Sequence, residues 1–268
     1  MGGRFTDALG REHAIASPPR RIVSLVPSIT ETLFELGLAD SVAGVTDFCV
    51  HPAATDEKPR VGGTKNPTLE KIVALAPDLV LANKEENRRR DVEWLEASGI
   101  PVFVTYARSV RQAVDEIDTL GHITGTSEVA ARIVTAIEER WRAARQRRPE
   151  TLPRVAALIW KHPYMAVGPD TFANDLIEQC CGQNAFGDRE RRYPRIDEAD
   201  LEAAQPDVVL LPTEPYEFDI RDAVELRSLD MPAARSARVH VVEGELLSWY
   251  GPRMGRALEL FSGLFAAD

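Results

Sequence analysis

The sequence predicts an α/β fold of two similar lobes, with mainly parallel sheets, joined by one long helix. Three observations carry that prediction. Short apolar runs alternate with amphipathic segments from Arg21 to Phe265, the order in which parallel strands and their covering helices occur. The stretch from Ser127 to Arg148, near the midpoint, holds an unbroken helical pattern. And TLEKIVALAPDLVLAN in the first half is echoed by EADLEAAQPDVVLLPT in the second, each running from an amphipathic helix through Pro-Asp into a short apolar strand. The expected division is an N-terminal α/β lobe over 20–125, a linking helix over 126–149 and a C-terminal α/β lobe over 150–268.

In the first lobe, Arg21 to Val26 reads as a buried strand. Ser28 and Glu31 then have capping-box spacing, which predicts a direct strand-to-helix turn ending at Gly37. Val42 to Val45 is the next strand, and Thr46 to Pro67 is loop-rich, punctuated by Pro52, Pro59, Gly62 and Gly63. Thr68 opens a helix that Pro77-Asp78 turns into the strand Leu79 to Ala82. Asn87 to Ser98 is a helix stopped by Gly99, Pro101 to Thr105 a strand, and Ser109 to Thr124 the closing helix.

The long helix follows from spacing: Val129, Ile133, Ile137 and Trp141 recur every four residues, with Val134 and Ala144 widening the stripe. Thr126 and Ser127 are suited to cap its start, and arginines crowd its end, where the macrodipole favours cations. Roughly 22 residues at ~1.5 Å rise give a rod of about 33 Å. In the second lobe, Arg154 to Trp160 is a strand and KHPYMAVGPD a turn-rich segment. Thr171 to Cys181 is a helix ended by Gly182; a polar loop precedes a helix ending at Ala204 and the strand Val208 to Leu211. Arg238 to Val242 is the last strand and Gly251 to Phe265 the last helix.

Composition narrows the function. A net charge of −10 argues against nucleic acid or an anionic membrane as the main partner, since both need a basic footprint. No run approaches the ~18 to 20 apolar residues of a membrane span. Cys49, Cys180 and Cys181 lack zinc-like spacing, and adjacent cysteines suit a mutual disulfide poorly. Free thiols are expected, with a bridge from Cys49 to the pair as the alternative in an oxidising compartment. The N-terminus has neither an apolar leader nor a lipidation cysteine, so the chain as written is expected in the cytoplasm, or in the periplasm or at the cell surface if a leader was trimmed. The five histidines show no metal-ligand spacing. No nucleophile elbow, Walker-type phosphate loop or dinucleotide fingerprint is present. An enzyme is not expected; a chelatase-like tetrapyrrole enzyme is the one form with a comparable two-lobed cleft.

PRRIVSLVPSITETLFELGL, the TLEKIVALAPDLVLAN unit, LIEQCCGQNAF and the terminal SWYGPR together resemble the helical-backbone substrate-binding proteins of ABC importers for cobalamin, iron–siderophore and heme. The cobalamin-binding branch is the most similar. The resemblance spans Arg20 to Phe265 and implies two Rossmann-like lobes bridged by the long backbone helix, with ligand held in the cleft between them. It also implies cleft-facing positions at Phe48, Thr64 and Asn83 in the first lobe and at Tyr164, Tyr193, Trp249 and Tyr250 in the second. Phe48, Tyr164, Tyr193, Trp249 and Tyr250 are the expected ligand-binding residues, with Trp160 lining or supporting the second lobe. Arg253 is expected to meet anionic ligand groups or to fix the loop above it. Glu70 matches the family's permease-docking carboxylate in the first lobe; the corresponding position in the second is Ala199, flanked by Glu198 and Asp200. The implied partners are a small-molecule metal-chelate ligand, cobalamin or another, and an ABC permease. No resident cofactor and a monomeric chain are expected. The alternatives are a cytoplasmic carrier or sensor of the same fold and, by resemblance to the family's metal-binding branch, a divalent-metal receptor with His51 and His162 approaching the cleft.

Overall fold

The computed structural model describes residues 3–266, and the chain divides into two compact units. One comprises Met1–Ala107 with Ala113–Thr135, the other Arg108–Gln112 with Ala136–Asp268. The helix Ser127–Gln146 is shared between them: its residues up to Thr135 belong to the first unit and the rest to the second. Its buried stripe is narrower than spacing suggests. Ala130, Ile137 and Ala144 are buried, while Val129, Ile133, Val134 and Trp141 are half-buried. Gly121 lets the preceding helix Val110–Thr124 approach Ala130, because a Cβ there would lie 2.4 Å from the alanine methyl.

The first unit holds a four-stranded, wholly parallel sheet in the order Val42–Val45, Ile22–Ser24, Leu79–Asn83, Val102–Thr105. Its strands are buried almost throughout, as continuous apolar runs covered on both faces must be. Val23, Val80 and Val102 pack with Ile72 and Leu95 from the covering helices. The capping box expected at Ser28 and Glu31 does not form. The helix is Pro27–Glu35, capped by extended Val26 with no side-chain bond. Pro27, whose fixed φ and missing N–H suit a first helical position, starts it before Ser28, which therefore falls inside the first turn. An antiparallel hairpin, Gly3–Thr6 with Glu12–Ile15, was not legible in the sequence. Its turn is held by Asp7, which accepts from Leu9 and Arg11 backbone N–H groups at 2.9 and 3.0 Å and from Arg11 Nε at 2.8 Å. Burial opposes the Asp7 charge, but these bonds and His13 outweigh it and hold the carboxyl below its usual range.

The second unit has a six-stranded sheet. Arg154–Trp160, Val208–Pro212 and Val239–Val242 run parallel, and Gln183–Asn184 adds a short parallel pairing. Tyr164–Ala166 folds back antiparallel on Arg154–Trp160, and Arg195–Ile196 pairs antiparallel with it in turn. This extension replaces the featureless turn expected over KHPYMAVGPD. Three further helices, Ile220–Leu226, Pro232–Arg235 and Gly244–Ser248, stand outside the expected element order. The helix Phe172–Gln179 ends through Cys181, at φ 64°, rather than through Gly182. Gly182 is required instead by space, since a Cβ would meet Val155, Ile177 and Phe265 at 2.9 to 3.0 Å. Cys49, Cys180 and Cys181 are free and buried.

Candidate functional site

In an open α/β sheet, ligands bind beyond the carboxyl ends of the strands. In the first unit that edge consists of Ser24, Val45, Asn83 and Thr105 with the loops they feed. A buried polar framework braces it. Thr30 Oγ1 donates to Ser24 Oγ at 2.8 Å, and the Cys49 thiol lies 3.1 Å from the hydroxyls of Thr30 and Thr46. Burial raises the pKa of that thiol. Asn83 Nδ2 donates to Thr105 Oγ1 at 3.1 Å, its own N–H donates to Asn87 Oδ1 at 2.8 Å, and Asn87 Nδ2 donates to the Thr64 carbonyl at 2.9 Å.

Asn83 is therefore a framework residue and not a ligand-facing one: it is 1% exposed and its amide is committed to the loops. Thr64, at 9%, is tied into the same framework. Phe48 does present a ring, at 60% exposure on the loop after Val42–Val45. On the last strand's exit, Lys84 Nζ lies 4.8 Å from the centre of the Tyr106 ring, and the Tyr106 N–H donates to Glu116 Oε1 at 2.7 Å. Burial pushes the Glu116 carboxyl up to about 7. Glu70 is exposed in the first turn of Leu69–Ala74.

In the second unit the corresponding edge begins at Trp160. The next residue, Lys161, is 8% exposed and donates to Asp222 Oδ1 at 2.7 Å and Glu225 Oε2 at 2.6 Å. Burial works to discharge its ammonium, and the two carboxylates outweigh burial and hold it charged. Tyr164 lines a pocket of about 400 Å³ with His162, Pro163, Ile196, Asp197, Glu198 and Ala199. Its hydroxyl has no hydrogen-bond partner among the described residues, and burial, against the opposing pull of the Lys161 ammonium and with smaller help from the surrounding carboxylates, pushes its pKa up to about 12. Glu198 and Ala199, the positions around the expected second docking carboxylate, thus share one pocket with Tyr164.

The Tyr193 loop is strapped beside this strand: the Ala166 N–H donates to the Pro194 carbonyl at 3.0 Å and the Gly168 N–H to the Arg192 carbonyl at 2.8 Å. Tyr193 therefore lies in the loop that leads into the sheet extension, where Ile196 and not Tyr193 pairs with Tyr164. Trp249 is 8% exposed, with the Arg253 guanidinium 5.2 Å from its ring centre. Tyr250 packs edge-on against Phe172 at 5.3 Å. Sequence reasoning missed one aromatic group, in which Trp160 meets Tyr216 edge-on at 5.8 Å and Tyr216 meets Phe218 at 4.7 Å. Tyr216 and Phe218 lie in EPYEFDI, whose mixed composition gives no period to read.

Among the described residues no group of three or more His, Cys, Asp or Glu side chains converges in a way that would hold a metal ion. What the two strand edges do present is exposed aromatic surface over a rigid polar framework. Exposed rings of this kind reward contact with extended planar surfaces.

Comparison with known proteins agrees. A family model described as "Periplasmic binding protein" matches residues 22–239. The vitamin B12-binding protein of Photorhabdus laumondii is 24% identical over 200 residues, covering 74% of this chain and 73% of that protein. The vitamin B12-binding protein of Yersinia pestis is 25% identical over 218 residues, covering 81% and 78%. Among solved structures, the periplasmic heme-binding protein RhuT from Roseiflexus sp. RS-1 matches with a TM-score of 0.79 at 26% identity, covering 94% of this chain and 98% of that one. The periplasmic vitamin B12-binding protein BtuF of Vibrio cholerae shares the fold at a TM-score of 0.81 and 23% identity, covering 92% and 97%.

Proposed function

Because the chain belongs to the periplasmic binding protein family, whose members are binding proteins and not enzymes, we propose that it holds a metal chelate, a cobalamin-like corrinoid or an iron chelate, as the substrate-binding component of an ABC importer. The observation that carries this reading is the match to vitamin B12-binding proteins along some three quarters or more of the chain. Physical support comes from the strand edges. Phe48 and Trp160 offer exposed rings, and flat, extended ring systems are rewarded by such faces without base-like pairing. Tyr164, Tyr193, Trp249 and Tyr250 complete the proposed ligand-binding set, and Glu70 is the proposed contact to arginines of the permease. The same reading puts the chain's place of work in the periplasm or at the cell surface rather than in the cytoplasm.

The test is intrinsic tryptophan fluorescence during titration with cobalamin, cobinamide, heme and ferric siderophores, corrected for ligand absorbance. Saturable quenching at micromolar or tighter affinity by one class, weakened in Tyr193→Ala and Trp249→Ala, is expected. No saturable response to any of them overturns the reading.

A further inference from the structure

We propose that Trp160 is the main stacking face that the second unit offers to a planar chelate, with Tyr216 as its brace. This rests on the reading above that the ligand is a metal chelate with a flat ring system.

Three observations converge on the residue. The first is backbone register. Leu158 pairs with Ala166 but Trp160 pairs with Met165, so the ladder slips between them. Such a bulge bends a strand and re-aims a side chain, and bulges concentrate beside functional sites. Here it falls at the carboxyl end of a parallel strand, where α/β sheets bind ligands.

The second observation is exposure against support. Trp160 is 43% exposed. Its ring rests edge-on against Tyr216 at 5.8 Å, Tyr216 rests against Phe218 at 4.7 Å, and Phe218 is 1% exposed. The strands before these residues, Arg154–Trp160 and Val208–Pro212, are direct neighbours. The T-shaped contact ties the indole to the core while the residue stays 43% exposed, so little rotamer freedom remains to be lost on binding. The adjoining Lys161 is fixed by Asp222 and Glu225, which pins the backbone from the other side.

The third observation is that, of the four tryptophans, Trp160 alone combines exposure with a place at a strand end. Trp141 donates its indole N–H to Gln179 and has Arg111 5.0 Å from its ring centre. Trp249 is 8% exposed with Arg253 beside it. Trp94 is 41% exposed but sits within the helix Arg89–Ala97, away from any strand end. A half-exposed indole at a strand terminus, braced by a two-ring relay into the core, is placed to stack on a flat ligand.

The experiment is calorimetric titration of wild type, W160F, W160A and Y216L with cobinamide and with heme, each variant first checked by thermal unfolding. For whichever chelate the wild type binds, W160A is expected to weaken affinity on the order of ten-fold, W160F to stay within roughly three-fold, and Y216L to fall between. If W160A unfolds, W160L, which keeps bulk but has no π face, takes its place with the same expected loss. Wild-type affinity retained in W160A or W160L overturns this inference and leaves the proposed function standing. Failure of the wild type to bind any chelate overturns both.

Discussion

The carboxylate of Asp78 accepts the backbone N–H of Arg21 at 3.0 Å while the Asp78 N–H donates to the Arg21 carbonyl, also at 3.0 Å. Asp207 and Arg154 repeat the arrangement in the second unit, at 2.8 Å in both directions. The repetition extends to the side chains: Arg21 Nε donates to the Leu75 carbonyl at 3.0 Å and Arg154 Nε to the Ala204 carbonyl at 2.9 Å. Ala76 and Gln205, each just before the Pro-Asp pair, take left-handed φ values of 44° and 45°. The echo noticed in the sequence is thus one closure used twice, in which a helix end, a turn and the start of the neighbouring strand are tied by a single Asp–Arg pair. Removing the carboxylate orphans the strand-start N–H groups. Asp78→Ala and Asp207→Ala are each expected to cost about 1–2 kcal/mol, read as a lower urea midpoint at unchanged slope. Asp→Asn, which keeps one acceptor, should cost less at either site.

Glu116 sets a pH dependence. Its carboxyl, ordinarily near 4.5, is pushed up to about 7 by burial, against the Tyr106 N–H that favours the charged form. The folded state therefore binds the proton more tightly than the unfolded chain. Its contribution to stability is fully present below the unfolded value and is lost as pH rises through the folded one. Glu116→Gln, which keeps an acceptor for Tyr106, is expected to flatten the decline in unfolding midpoint between about pH 4.5 and 7. An unchanged pH profile in the variant would show that another group carries it.

Period was legible and tertiary exception was not. The parallel strands are continuous apolar runs between turn residues, so Ile22–Ser24, Leu79–Asn83 and Val208–Pro212 stand close to where the sequence puts them. The hairpin around Asp7 is half exposed and held by one carboxylate, which leaves no hydrophobic signature. The helix Ile220–Leu226 turns Ile220 and Val224 outward, at 63% and 59% exposure, so apolar spacing misreports its buried face. At the candidate site, Phe48 and Tyr193 were visible as aromatics in loops. Asn83, a cleft-facing position by resemblance, is buried through a bond to Thr105 in another strand, which local sequence does not show. The Trp160–Tyr216 pair needs two strand ends to be adjacent, which no local window contains.

Lys161 tests the framework beneath that edge. Its ammonium is held between Asp222 and Glu225 in a setting where Asp222 is also largely buried. Asp222 further accepts the Asp219 N–H at 2.9 Å as part of a helix cap. Lys161→Met strands a buried carboxylate, and breaking one side of a buried pair costs roughly 3–5 kcal/mol. The double variant Lys161→Met, Asp222→Asn removes the stranded charge and is expected to recover part of the loss. If the double variant is as unstable as the sum of the single changes, the pair is not coupled as described.

Gly168 and Gly263 give opposite expectations from the same substitution. A Cβ on Gly168 would lie 2.3 Å from the Arg191 carbonyl oxygen and 3.0 Å from that of Arg192, both backbone atoms of the loop that carries Tyr193. Neither atom can yield without moving the loop, and the Gly168 N–H that straps it would move as well. Gly168→Ala is therefore expected to destabilise by about 1–3 kcal/mol, and to weaken chelate binding in step with the displacement of Tyr193. Gly263 lies in the helix Met254–Ala266 with nothing within 4 Å of an added Cβ. Alanine there removes a helix-interior glycine penalty of roughly 1 kcal/mol, so Gly263→Ala should raise the unfolding midpoint and leave ligand affinity unchanged. Equal effects at the two sites would refute the loop-strap argument, because only Gly168 sits where backbone meets backbone.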